Sequence, residues 1–416
     1  MKYNYLKVNS VICLITILIL TACSKGGSNP TPSNSTPALA INSIDVNTGG
    51  YNTKVTISGS AFSQAANDQV FFNGVAATVE LATPTEIIAD VPLGAGTGNV
   101  TITVNGTKAT GPVFTYQQGL VVTTLAGSLS AGGFANGTGG AATFDNLAGL
   151  AIDKDGNLYA ADQSNFVIRK ITPKGVVTTF AGSGKQGRAD GTVLTATFED
   201  PTGVAVDQSG NVFVADGGIL REITANGNVS TITTQLSTGG GTLNITGVAV
   251  DAAANLYIAD PGDHLVGKVA TDGTVTAISG TITTMPDGTE ILNFSQNPQS
   301  IALDKSGNLF ITDGIVWKVT PPNIFSKFAT TGFSNPQGIA VDSQGNLYVA
   351  DDGNMEIRKI TAAGQVSLLA GISGVGVPAD GVISKAAFRF PTGIVVDASG
   401  NIFVTDVNAI REITFQ

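Results

Sequence analysis

The sequence predicts an all-β protein in which a small two-sheet sandwich precedes a six-bladed propeller built from four-stranded sheets. Three observations predict this. Only 12% of the 416 residues are charged, while 52 glycines and 16 prolines indicate many turns between short apolar segments. Residues 38–117 alternate apolar and polar positions around two Asn-Gly pairs. The remainder of the chain repeats one phrase six times.

The first 22 residues have the pattern of a signal peptide. Lys2 and Lys7 supply positive charge, and Val11–Leu20 is a largely apolar stretch too short to span a bilayer. The segment LTAC, which ends at Cys23, resembles the lipobox of bacterial lipoproteins. This resemblance implies that Cys23 is acylated and becomes the new N-terminus. A plain secretory signal followed by a stray cysteine is the alternative.

Residues 23–37 are expected to form the lipidated cysteine and a flexible tether, because their Ser, Pro, Asn and Gly composition cannot build a core. Ser24 after the cysteine resembles lipoproteins that are passed on to an outer membrane. Whether the folded part faces the periplasm or the cell surface stays open. Cys13 leaves with the signal, so the mature chain keeps only Cys23 and cannot form an intramolecular disulfide.

Residues 38–117 read as seven or so short strands. The alternation of apolar and polar residues and the turns at Asn73-Gly74 and Asn105-Gly106 predict antiparallel sheet in an immunoglobulin-like sandwich. The segments VTISGSAF, VFFNGVAATV and GPVFTY, with the Val91-Pro92 step, resemble the IPT/TIG family over the whole module. Members of that family serve as spacers and as binding modules on cell-surface proteins, and an inert spacer is the role we favour.

Residues 119–416 repeat a phrase of the type D-x-x-G-N-[LVI]-[YF]-x-[AT]-D. The six copies are Asp153–Asp162, Asp207–Asp216, Asp251–Asp260, Asp304–Asp313, Asp342–Asp351 and Asp397–Asp406. In each copy, an apolar triplet, a tight turn and a second strand are followed by segments such as IRKIT and VVTTFAG, which predicts a four-stranded antiparallel blade. The phrases resemble NHL repeats, and this resemblance implies a propeller.

Ring closure follows from counting outer strands. The sixth copy ends at Gln416 after its third strand, whereas residues 119–127 duplicate the fourth-strand phrase found at residues 175–182. We therefore expect the 119–127 strand to complete the last blade and to close a six-bladed ring.

Four long connections between blades share an internal pattern. An Asn-Gly or Asp-Gly pair precedes a phenylalanine in each connection, at Asn136 and Phe144, Asp190 and Phe198, Asp287 and Phe294, and Asp380 and Phe388. We expect these rings to pack between blades, since repeated apolar positions usually belong to a core. Stacking on a ligand is the alternative.

The second aspartate of each phrase is a candidate ligand-face residue. These residues are Asp162, Asp216, Asp260, Asp313, Asp351 and Asp406. Six carboxylates at a channel mouth could bind calcium through oxygen ligands. We favour a structural role, in which the carboxylates accept backbone N–H bonds and pair with arginines of the third strands, at Arg169, Arg221, Arg358 and Arg411. No metal ligand is assigned.

Composition excludes several function classes. The net charge of −10 and the absence of a basic run exclude nucleic acid as an expected partner. A single histidine excludes sites that need two or three imidazoles, including most catalytic zinc centres. That residue, His264, lies in a predicted loop, where a solvated side chain is favoured over a lone acid or base.

The resulting prediction is a monomeric, lipid-anchored outer-membrane protein that acts as a binding module. Its propeller loop face is expected to capture a glycan or a protein, without a cofactor. The single tryptophan, Trp317, and the strand positions of Tyr159, Tyr257 and Tyr348 argue for little aromatic surface. The alternative is a calcium-dependent hydrolase or lyase of the lactonase type, since enzymes of that type occur on similar six-bladed propellers.

Overall fold

The computed structural model describes most of the chain after residue 36. The described residues are 37–63, 68–232, 235–236, 243–270, 273–278, 282–284, 290–292 and 297–415. The predicted signal peptide, Cys23 and the tether up to residue 36 lie outside them, as do Asp287 and Phe294. The described chain is all-β, which confirms the predicted fold class, and its few helical residues are 3-10 turns at Gly139–Ala141, Gln163–Asn165 and Asp352–Asn354. Within the described ranges, no helix is long and apolar enough to cross a membrane.

The N-terminal sandwich consists of two sheets. One sheet contains, in spatial order, Ala40–Ile44, Lys54–Ser60, Glu86–Asp90 and Thr78–Ala82. The other contains Thr48–Gly49, Thr107–Tyr116, Gly98–Val104, Gln69–Phe72 and Val75–Ala76. Both Asn-Gly pairs have positive φ at both residues, as a type I′ hairpin turn requires. Phe72 and Phe114 meet edge to face at 5.1 Å inside the core.

Six further sheets repeat one antiparallel order, and we number them blades 1 to 6 along the chain. Blade 1 contains Leu147–Ile152, Leu158–Asp162, Val167–Ile171 and Val176–Ala181. Blade 2 contains Pro201–Val206, Val212–Asp216, Ile219–Ile223 and Asn228–Ile232. Blade 3 contains Gly247–Val250, Leu256–Asp260, Leu265–Val269 and Thr274–Ala277.

Blades 4 to 6 follow the same scheme. Blade 4 contains Ser300–Leu303, Leu309–Asp313, Ile315–Thr320 and Ile324–Ala329. Blade 5 contains Pro336–Val341, Leu347–Asp351, Glu356–Ile360 and Val366–Gly371. Blade 6 contains Pro391–Val396, Ile402–Asp406, Ala409–Phe415 and, as its fourth strand, Leu120–Gly127. A short hairpin of Ile282–Thr284 and Glu290–Leu292 precedes blade 4.

The long connections also cover outer blade edges. Gly137–Thr138 pairs with the outer strand of blade 1, Gly191–Thr192 with that of blade 2, and Gly381–Val382 with that of blade 6. In blade 3, Gln235–Leu236 pairs in parallel with the outer strand. These additions give the edge strands hydrogen-bond partners, which protects them from pairing with other chains.

The innermost strands form a closed ring. The first strand of each blade contacts that of the next, and the first strand of blade 6 contacts that of blade 1. The backbones approach so closely that a Cβ at Gly149 would lie 2.3 Å from the carbonyl oxygen of Thr202, and one at Gly393 would lie 2.5 Å from that of Ala148. Glycine is therefore required at these two positions by space alone. Apolar side chains from neighbouring blades fill the space between the sheets.

The first aspartate of each phrase closes the turn between the first two strands. In blade 1, Asp153 Oδ1 accepts the backbone N–H groups of Asp155 and Asn157, and Oδ2 accepts the Asn157 amide at 2.9 Å. Tyr159 donates its hydroxyl to the same carboxylate, as Tyr257 and Tyr348 do in blades 3 and 5. These tyrosines therefore belong to the structure of the blades.

Blade 3 departs from the phrase at this turn. Residue 254 is alanine with φ +62°, whereas the matching residue of the other five copies is glycine with positive φ. An alanine in the left-handed region is strained by its Cβ.

Candidate ligand site at the channel mouth

The second aspartate of every phrase ends the second strand of its blade and is buried. The exposed fraction of Asp162, Asp216, Asp260, Asp313, Asp351 and Asp406 is at most 1%. Five of these carboxylates accept backbone N–H groups of the connection that enters the same blade, those of Asp162, Asp216, Asp260, Asp351 and Asp406. Asp216 Oδ1, for example, accepts the backbone N–H groups of Glu199 and Asp200 at 2.7 and 2.8 Å.

Three of these carboxylates hold a fully buried arginine. Arg169, Arg221 and Arg411 donate to Asp162, Asp216 and Asp406 at 2.7, 3.1 and 3.0 Å. Burial raises the pKa of Asp162 and of Asp216, while the backbone N–H bonds and the arginine favour the ionised carboxylate. In blade 5, Arg358 lies 3.4 Å from Asp351 and also pairs with Glu356.

Each buried arginine also bonds the long connection. Arg221 donates to the carbonyl oxygens of Thr197 and Ala189 and to the Asp190 carboxylate, the last at 2.9 Å. Arg411 donates to the Asp380 carboxylate at 2.8 Å. In blade 1, Asn136 takes this place. The first residue of each Asn-Gly or Asp-Gly pair therefore supplies a second side-chain acceptor for the buried arginine.

The repeated phenylalanines lie beneath these arginines. Phe144, Phe198 and Phe388 are fully buried, and the guanidinium carbons lie 5.0, 5.3 and 5.1 Å from the ring centroids. Their burial removes them from any ligand surface. His264, by contrast, is exposed in the turn between the second and third strands of blade 3, with φ +52°.

The six aspartates do not come together as one site. Each ends the second strand of its own blade, and five of them are bonded to the connection that enters that blade. Among the residues that the structure describes, no group of three or more His, Cys, Asp or Glu side chains has a geometry that could hold a metal ion. The arrangement therefore favours the structural role that the sequence suggested for these carboxylates.

The ring of first strands instead encloses a central channel of about 550 Å³. Aliphatic side chains line its shaft, and no charged side chain lines it among the described residues. Hydroxyl and amide side chains lie where the first strands enter, and we call this set the channel mouth. It consists of Gln163, Thr202, Thr246, Gln299, Ser300, Gln337 and Thr392.

The channel mouth is an ordered hydrogen-bonding surface. Thr246 donates to the carbonyl oxygen of Gln299 at 3.1 Å, and Thr392 donates to that of Leu147 at 3.1 Å, so both hydroxyls bridge neighbouring blades. Gln337 donates from Nε2 to Asn335 Oδ1 at 2.9 Å. These side chains are half-buried, and their oxygens retain lone pairs for further donors.

Sequence reasoning missed the channel mouth. A repeated pattern in the sequence could have indicated it. A glycine or serine lies near the start of the first strand of each blade, and the residue before it is Thr or Gln in five of the six blades: Thr202, Thr246, Gln299, Gln337 and Thr392. A second omission concerns aromatic surface, because Phe134 and Phe390 are 52% and 48% exposed on long connections.

Comparison with known proteins identifies two families within the chain. Residues 39–116 match the IPT/TIG domain, and residues 333–360 match the NHL repeat. A curated relative, Protein SUPPRESSOR OF QUENCHING 1, chloroplastic, of Arabidopsis thaliana, is 37% identical over 95 residues, which are 22% of this chain and 9% of that protein. The chain thus spans a small part of that relative.

Several solved structures share the fold over almost the whole chain. An auxiliary nutrient binding protein from Bacteroides thetaiotaomicron is 16% identical with a TM-score of 0.63, and the match covers 91% of this chain and 98% of that one. An auxiliary nutrient binding protein from Bacteroides ovatus is 16% identical with a TM-score of 0.59, covering 93% and 100%. The chain is therefore an all-β protein that contains an IPT/TIG domain at residues 39–116 and, in its β-propeller, an NHL repeat at residues 333–360.

Proposed function

We propose that this protein is a lipid-anchored binding protein of the cell envelope, and that its channel mouth captures an uncharged, hydroxyl-rich small molecule such as a glycan. The observation that carries the proposal is the neutral polar rim above an apolar shaft. Amide and hydroxyl groups donate and accept hydrogen bonds, as sugar hydroxyls do, and a few convergent polar groups in a concave site are typical of ligand pockets.

The charge distribution favours binding over calcium-dependent hydrolysis. A hard cation requires several carboxylate or carbonyl oxygens around one point. In the described residues, the buried aspartates are spread over six blades, and the channel lining contains amides and hydroxyls in their place. A cofactor-free binding module remains the simpler account of the same residues.

Two observations support a location in the cell envelope. The LTAC segment ending at Cys23 has the form of a lipobox, and the two similar structures above are named as auxiliary nutrient binding proteins of Bacteroides. Cys23→Ala tests the anchor, since loss of the acyl chains releases a lipoprotein from the membrane fraction. Retention of that variant in the membrane fraction would contradict the anchor.

Binding itself is tested by calorimetric titration with maltohexaose, cellohexaose, mannohexaose, xylohexaose and chitohexaose. We expect saturable binding of at least one of these hexasaccharides. Gln337→Leu combined with Thr392→Val should weaken that binding at least tenfold, whereas Gln344→Leu, on an exposed turn outside the channel, should not change it. The absence of binding to any of the five would refute the proposal.

A further inference from the structure

We propose that the boundary between blades 5 and 6 carries a pyranose subsite, formed by Asn335, Asp352 and Phe390 beside the channel mouth. The proposal rests on the proposed function and specifies it, because it names the part of the saccharide that is recognised. A pyranose ring presents an apolar C–H face and adjacent hydroxyl groups. The three side chains offer an exposed aromatic ring, an amide and a carboxylate.

The subsite is joined to the channel mouth by hydrogen bonds. Gln337, which lines the channel, donates to Asn335 Oδ1 at 2.9 Å, and Asn335 donates from Nδ2 to Asp352 Oδ2 at 3.1 Å. Phe390 lies two residues before Thr392 of the mouth. A saccharide that enters the channel mouth therefore reaches these side chains with its next ring.

The register of the blades brings Asp352 and Phe390 to neighbouring positions. Gln163 and Asp352 are equivalent, because each directly follows the buried aspartate of its blade, blade 1 or blade 5. Asp200 and Phe390 are also equivalent, because each donates its backbone N–H to the buried aspartate of its own blade, blade 2 or blade 6, at 2.8 and 2.9 Å. Between blades 1 and 2, the two positions are in contact, because Gln163 donates to Asp200 at 2.7 Å.

Between blades 5 and 6, the same pair of positions forms no hydrogen bond. A phenylalanine side chain cannot accept a hydrogen bond as Asp200 does. Asp352 Oδ1 is buried and accepts no hydrogen bond within the described part of the chain, whereas Oδ2 accepts the Asn335 amide. Asp352 is thus under-bonded, since an ionised carboxylate has about four acceptor sites. A carboxylate oxygen can accept two hydrogen bonds, so Oδ2 keeps a lone pair for a sugar hydroxyl.

Phe390 supplies the apolar surface. It is 48% exposed although the Arg389 guanidinium lies 5.5 Å from its ring centroid. Aromatic rings provide large apolar area with little loss of side-chain freedom, which suits them to the C–H face of a sugar ring. The backbone bond from Phe390 to Asp406 fixes the point from which this ring projects.

The test is calorimetric titration of the full protein with the five hexasaccharides named above. Phe390→Ala, Phe390→Leu and Asp352→Asn should each weaken binding at least tenfold. Matched controls are Phe134→Ala, an equally exposed phenylalanine in the connection to blade 1, and Asp155→Asn, a carboxylate exposed in a turn. Both controls should bind like the unsubstituted protein, and thermal melts establish that all five variants fold.

The outcomes separate the two proposals. If a hexasaccharide binds and all three subsite variants stay within threefold of the unsubstituted protein, the subsite is refuted while the proposed function stands. If Phe390→Leu restores the affinity that Phe390→Ala loses, apolar volume suffices and the aromatic subsite is refuted. If no hexasaccharide binds, the proposed function and the subsite are both refuted.

Discussion

Asp380 accepts both the backbone N–H and the hydroxyl of Thr124, at 3.0 Å each, across 256 residues of sequence. Thr124 belongs to the strand that completes blade 6, and Asp380 belongs to the connection that enters the same blade. The Asp380 carboxylate also accepts a hydrogen bond from Arg411, a fully buried side chain, at 2.8 Å. The Asp380 side chain thus links Leu120–Gly127, the fourth strand of blade 6, to Ala409–Phe415, the third strand of the same blade.

Asp380→Ala is expected to destabilise the protein by about 1–3 kcal/mol. The substitution removes two bonds to Thr124 and leaves Arg411 with one carboxylate partner in place of two, and hydrogen bonds to charged groups contribute about that much. Urea unfolding measures the change. Asp155→Ala, at an exposed carboxylate, should stay within about 0.5 kcal/mol. Equal effects of the two substitutions would show that this contact does not stabilise the ring closure.

Ala254→Gly is expected to stabilise the protein by about 0.5 kcal/mol. An alanine at φ +62° costs about 1–2 kcal/mol, which exceeds the entropic cost of glycine in the unfolded chain. The sign is diagnostic, because alanine-to-glycine changes in ordinary strand or helix positions destabilise. The reciprocal substitution Gly345→Ala, at φ +82° in the same turn of blade 5, should destabilise. A lower melting temperature for Ala254→Gly would contradict this account of the turn.

Asp352→Asn is expected to raise the stability, and with it the melting temperature, at pH 7. Burial, with the nearby Asp351 and Asp406 charges, raises the pKa of Asp352 above 3.8, whereas the bond from Asn335 opposes this rise. The folded state therefore holds the proton more tightly, and the charge reduces stability once the pH exceeds the folded pKa. Below pH 3.8, both states are protonated and the gain should vanish. A gain independent of pH would contradict this explanation.

Chelation is expected to leave the melting temperature nearly unchanged. Asp216 and Asp406 each accept backbone N–H groups and pair with a buried arginine, so their burial does not require a cation. A calcium ion bound only to the folded state would add about 2.7 kcal/mol at a hundredfold excess over its dissociation constant. Melts with EDTA, and with EDTA followed by excess calcium, distinguish the two cases. A drop of several degrees that calcium reverses would favour the hydrolase alternative.

Local rules of sequence were sufficient for the blades. The tight turn at Asp153 needs only residues within its own phrase, and the two Asn-Gly hairpins need only two residues each, so alternation and turn chemistry predict them. The predicted pairing of Asp162 with Arg169 spans seven residues on adjacent strands. The IPT/TIG and NHL resemblances are confirmed by the matches at residues 39–116 and 333–360.

The candidate site could not be predicted in the same way, because it arises from the ring. Thr392 and Leu147 are 245 residues apart, and neither is distinctive within its own blade. The channel mouth exists only after six equivalent positions meet. Similarly, Phe388 and Phe390 are two residues apart, yet one is fully buried beneath Arg411 and the other is exposed. Only the three-dimensional packing separates a core ring from a surface ring.

The most direct test of the central claim is the crystal structure of the protein soaked with the hexasaccharide that binds most tightly. We predict density for a sugar ring at the channel mouth, within hydrogen-bond distance of Gln337 and Thr392. Ordered sugar on the IPT/TIG domain or at the opposite end of the channel, with an empty mouth, would contradict the claim.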